Sequence, residues 1–149
     1  MKKIVLTDYA DYDFSLIGIC CQEDDYKLCW RLNKLLGIDF RRIEDVEIIQ
    51  LKRKNLSSFP MFRYIESDTD QEEVITEDTE LIYYLISNRN GTMNLVPEQK
   101  QTDYFLKIHA ESDLIDEADL VRKIKELPTV LTAFSINPAE LKSKENLIF

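Results

Sequence analysis

The chain has 149 residues, a formal net charge of −9, and 44% hydrophobic against 32% charged residues; it fits one domain, residues 1–149, long enough to bury a core without covalent staples. No apolar run approaches the roughly 20 residues a membrane helix needs, and Met-Lys-Lys at the start is followed by Asp8, Asp11 and Asp13 instead of an apolar signal core, so a cytoplasmic protein with no membrane role is expected. The acidic balance opposes the positive field that phosphate backbones require and counts against nucleic acid as the main partner; Arg41, Arg42 and the run Lys52-Arg53-Lys54 read as solvated strand-end and loop charge.

Residues 14–20 are apolar at nearly every position and predict a strand covered on both faces. Asp24 and Asp25 suit a helix N-terminus, Leu28, Leu32, Leu35 and Leu36 recur at helical spacing, and Gly37 is the expected stop. Residues 46–51 and 59–65 predict strands, with Pro60 pointing to an edge position for the second. Residues 66–80 hold eight acids and no Lys or Arg, which predicts an exposed loop or hairpin tip. Strand 81–87 follows, and Asn90-Gly91 predicts a tight hairpin that returns it through 92–96. A strand is expected over 104–109 and a helix over 117–127, with Leu120, Ile124 and Leu127 inward, Asp116 or Ser112 as cap and Pro128 as stop. Strand 130–136 ends at Asn137-Pro138, which opens a short helical turn at 139–141. The expected fold is α+β: a single, mostly antiparallel sheet with two main helices packed on one face, the C-terminal βαβ unit over 104–136 being ferredoxin-like.

Residues 96–104, Val-Pro-Glu-Gln-Lys-Gln-Thr-Asp-Tyr, place a backbone-fixing proline, two carboxylates and a tyrosine in one short connection between strands. On one reading Glu98 and Asp103 form a carboxylate pair, with Tyr104 as a donor and Lys100 nearby; such pairs divide into acid and base when their environments separate their pKa values. On the other, Pro97 pre-sets a turn, Glu98 serves exposed N–H groups, Asp103 bonds local backbone and Tyr104 packs its ring. Pro97, Glu98, Asp103 and Tyr104 stand at the spacing that names the IPExxxVDY proteins, a small bacterial family, with Val96 in place of the leading Ile and Thr102 in place of the Val. The chain resembles that family again at residues 13–19, 26–33 and 141–149, so the resemblance covers most of its length. It implies a small bacterial protein and carries over no catalytic role, because no activity is established for the family.

His109 is the only histidine, and a histidine-based metal site would lack its usual second ligand; no metal and no cofactor are expected. Cys20, Cys21 and Cys29, an odd count without C-x-x-C spacing, read as reduced, buried thiols. There is no G-x-S-x-G, Walker A or G-x-G-x-x-G sequence, and no residue stands out as catalytic. Tyr26, Trp30 and Asn33 share a side of the first helix away from the leucine stripe, which suits an interface as readily as a second core face. Leu147-Ile148-Phe149 needs an apolar partner, and docking on the chain's own sheet is the economical one. The expected function is a non-enzymatic interaction or homo-oligomerisation module, a homodimer or an adaptor for a protein partner, with Tyr26, Trp30 and Asn33 in the interface. The alternative is a small-ligand binder or enzyme with its site at Glu98, Asp103 and Tyr104. Convergence of those three on a concave pocket favours the second; bonding to backbone N–H groups favours the first.

Overall fold

Strand β1 (Ser15–Cys21) leads into helix α1 (Asp25–Leu36), followed by β2 (Arg41–Gln50), β3 (Asn55–Glu66), β4 (Leu81–Ser87), the short β5 (Arg89–Asn90) and β6 (Met93–Asn94), β7 (Tyr104–Ala110), helix α2 (Glu117–Lys125) and β8 (Val130–Ile136). Two 3-10 turns, Pro138–Glu140 and Lys144–Leu147, come last. The computed structural model describes residues 13–50, 55–66, 81–110 and 115–149. The stretch 67–80, the basic residues 52–54 and Ser112 lie outside the described residues, so the expectations placed on them have no structural counterpart here.

The main sheet has the order β2-β3-β4-β7-β1-β8, and every neighbouring pair is antiparallel. Because β1 lies between β7 and β8 and is antiparallel to both, β7 and β8 are parallel, and α2 makes the crossover between them. This is the split strand–helix–strand arrangement, and the fold is α+β as expected.

Both helices cover the same face. Leu28 and Leu32 of α1 and Leu120 and Ile124 of α2 pack on Ile17, Ile19, Leu85, Leu106 and Ile108. On the opposite face Leu16, Phe59, Ile86 and Phe105 are covered without a helix, by Leu95 and Val96 and by Leu141 and Leu147 of the closing segment. Hence β1 and β4 read as unbroken apolar runs: both of their faces are core. The leucine stripe places α1, and Gly37 ends it in the left-handed region at φ 66°, its N–H donated to the Asn33 carbonyl. Asp116 caps α2, its carboxylate accepting from the N–H of Asp119 at 3.1 Å. No described helix is long and apolar enough to cross a membrane.

Two local expectations change. β3 is not an edge strand, since it lies between β2 and β4. Pro60 is tolerated there because β2 slips register opposite it, between Ile43 and Val46, and pairing with β4 begins only at Met61. No ladder N–H is required of that residue. A tight hairpin exists, with Gly91 at φ 63°, but its two-residue loop is Gly91-Thr92, one position later than expected, because Asn90 pairs with Met93; it joins β5 to β6. Strand β4 does not pair with 92–96, because β3 and β7 already occupy both its sides; Leu95 and Val96 leave the sheet plane to cover its second face.

Candidate functional site

Asn88, which follows β4 and is fully buried, organises the connection to β7. Its Nδ2 donates to the carbonyls of Gln99 at 2.9 Å and Thr102 at 2.8 Å, and its Oδ1 accepts from the N–H of Val96 at 2.8 Å. Its backbone N–H donates to Asp103 and its carbonyl accepts from Leu95. Sequence reasoning missed this residue. The available signal was an asparagine closing an uninterrupted apolar strand, where an amide that stays inside must be fully bonded.

The connection held by Asn88 carries the motif residues, and each reaches a different part of the chain. Asp103 Oδ2 accepts from the N–H of Cys21 at 2.8 Å, at the point where β1 slips register against β8. Its Oδ1 accepts from Arg89 Nε at 2.8 Å, and Arg89 also donates to the Lys100 carbonyl. Tyr104 is buried on the helix face and donates its hydroxyl to the Glu23 carbonyl, 2.5 Å away, just before α1. Burial, with Asp25 adding to it, raises that hydroxyl's pKa. Glu98 turns the other way and accepts from both Ser143 N, at 2.7 Å, and Ser143 Oγ, at 2.9 Å. Burial opposes ionisation of Glu98, but the hydrogen bonds led by Ser143 together outweigh it and hold the carboxyl below its ordinary value. The motif ties the end of β1, the lead into α1 and the closing segment to one connection. Its three polar side chains do not converge.

The closing segment docks on the sheet, as its apolar residues require. Asn146 Nδ2 donates to the Leu95 carbonyl at 2.8 Å, and Lys107, only 2% exposed, donates from Nζ to the Leu147 carbonyl at 2.6 Å. Around Nζ stand the rings of Phe149, Phe14 and Tyr84, with centroids 4.0, 4.6 and 5.4 Å away. A cation is stable there because ring faces are negative. His109, on the same face of β7, lies 5.6 Å from Phe14 and 6.1 Å from Tyr84 between ring centroids. Burial, with Lys107 adding to it, lowers its pKa to about 4. A histidine held below its ordinary 6.5 stabilises the fold fully above pH 6.5, and that contribution is lost as pH falls from 6.5 towards 4, because the unfolded chain binds the proton first. The denaturant midpoint is therefore expected to fall across this window, and to fall less in His109→Gln. Parallel profiles for the two proteins would assign the slope to other groups.

No protein-family model, curated protein or solved structure matches this chain.

On α1, Tyr26 is 60% and Trp30 55% exposed, with Lys34 Nζ 4.1 Å from the Trp30 ring centroid. Asn33 is half-buried and engaged inside the chain: its Oδ1 accepts from the N–H of Phe40 at 2.9 Å, which locks the turn after the helix. The three cysteines are free and buried. Burial, with Asp25 adding to it, pushes the Cys29 thiol up to about 12, and burial also raises Cys20, so both stay protonated at neutral pH. A cavity of about 610 Å³ lies between β2, β3 and the closing segment, with Ile43, Met61, Tyr84 and Phe149 on its walls and Glu44, Glu47, Glu145 and Arg63 among its charged residues. None of Glu98, Asp103 and Tyr104 lines it. Among the described residues no group of three His, Cys, Asp or Glu is placed to hold a metal ion.

Proposed function

We propose that this chain is a non-catalytic association module, a cytoplasmic bacterial protein of the family its Pro97-to-Tyr104 motif resembles, that works by contact with a second copy or a protein partner. One observation carries the reading: two large aromatic rings, Tyr26 and Trp30, stand more than half exposed on a helix whose leucine face is already satisfied by the sheet. Rings of this kind bury 150–250 Å² each at low entropic cost and dominate interfaces. The bonding of Glu98 and Asp103 supports the same reading from the other side. Both carboxylates accept from backbone N–H groups of their own chain, so they serve the fold. Three reduced thiols suit a cytoplasmic setting.

The test is Trp30→Glu, at an exposed position where the fold tolerates charge. Light scattering is expected to show association in the wild type and its loss in the variant, at an unchanged melting temperature. An equally associated variant would remove α1 from the interface.

A further inference from the structure

The two edges of the sheet are built differently. Edge strand β2 carries Arg41, Arg42, Glu44, Asp45 and Glu47 and slips register in its middle. Charge and bulging are the devices that stop an edge from recruiting another strand. The opposite edge, β8, reads Val-Leu-Thr-Ala-Phe-Ser-Ile, without a charge, a proline or a glycine. Among the described residues it pairs only with β1, and its outer row of N–H and C=O groups meets no described strand. Leu131, Thr132 and Ser135 are exposed along it, Leu131 at 73%. The irregularity on this side sits at the start of the strand: Cys21 pairs with Val130 and Cys20 with Thr132, which makes Leu131 the extra residue. From Thr132 to Ile136 the strand is regular.

We propose that β8 is a self-association edge, on which a second copy lays its own β8 antiparallel about a two-fold axis, so that one sheet continues through both copies. Charge selects the occupant. A chain of net charge −9 repels its own copy over most of its surface, and seven successive uncharged residues on an open edge are where that repulsion is least. The strand is also self-complementary. Pairing of Thr132–Ile136 with itself sets Phe134 against Phe134 of the second copy and Thr132 against Ile136, the aromatic and β-branched cross-strand pairs that stabilise sheets. A two-fold axis lets one patch serve both copies. This inference rests on the association reading but uses a different surface from α1, so the two fail separately.

Two double variants test it, Thr132→Lys/Ser135→Lys and Thr132→Glu/Ser135→Glu, both confined to exposed side chains. Light scattering should find the wild type dimeric and each variant monomeric, with dimerisation weakened roughly a hundredfold or more by like charges placed edge to edge. Mixing the two variants in equal amounts should restore a dimer, because opposite charges then meet. Should a double change unfold the chain, Ser135→Lys and Ser135→Glu carry the same test at one exposed position. A monomeric wild type, a lysine variant as dimeric as the wild type, or failure of the two variants to pair on mixing would overturn the proposal. Loss of the dimer in Trp30→Glu with its retention in the lysine variant would assign self-association to α1 instead. The reverse pattern would uphold the edge and remove α1 from self-association.

Discussion

Lys107→Glu is expected to lower stability by about 3–5 kcal/mol or to prevent folding, the range for leaving an uncompensated charge inside a protein. The position allows no escape to water, with Lys107 only 2% exposed in the middle of β7. The groups described around the ammonium oppose a carboxylate: the faces of Phe14, Tyr84 and Phe149 are negative, and the Leu147 carbonyl can only accept. Lys107→Met separates charge from volume. It fills nearly the same space but leaves the Leu147 carbonyl without its donor, so a smaller loss of about 1–3 kcal/mol is expected. Urea unfolding of the three proteins reads both values. A glutamate variant with a near-wild-type midpoint would mean that the side chain reaches solvent and that the closing segment does not seal this face.

The second large effect is expected at Asn88. Asn88→Ala leaves three backbone groups, the Val96 N–H and the Gln99 and Thr102 carbonyls, without the partners they have now. Each buried group left unsatisfied costs about 1–3 kcal/mol, so a loss of roughly 3 kcal/mol or more follows if water does not enter. The damage should be local first. Hydrogen exchange is expected to lose protection at Val96 before it does at the β4 and β7 ladders, because the connection would come free while the strands stay paired. Uniform loss of protection over the sheet, or none at all, would show that the asparagine does not act as the organiser of this connection.

What sequence showed and what it hid follow from the range of the forces involved. α1 was legible because a leucine stripe and a positive-φ glycine act within a few residues. β4 and β8 were legible with their ends because apolar runs bounded by polar residues mark them. The strand order was not legible: nothing local in Ser15–Cys21 says that it will lie between β7 and β8. Pro60 misled because a proline signals an unpaired N–H, and an unpaired N–H arises at a register slip as well as at an edge. The signal at Asn90-Gly91 marked a tight turn one residue early and did not say which strands it joins, since Asn90 is the last residue of β5 and pairs with Met93. The Pro97-to-Tyr104 motif was readable as turn chemistry. Its partners Cys21, Glu23 and Ser143 lie far away in the chain, and only the fold brings them to it. The period of α1 put Tyr26 and Trp30 on one side; their exposure is a property of what packs around the helix.

The place of β1 sets a timetable for the chain. It is the first described strand to be synthesised, and both of its ladder partners, Tyr104–Ala110 and Val130–Ile136, come long after it. Ribosomes add about 5–20 residues each second, so an apolar strand destined for the inside of a sheet waits several seconds with neither edge covered. Pairing then closes loops that span most of the sequence, and that entropy is lost before the ladder repays any of it. The helix face can begin to gather around α1 early. The other face cannot, because Leu141 and Leu147, which seal it, are made only after every strand of the sheet. A nascent chain of this topology exposes an apolar strand early and covers it late.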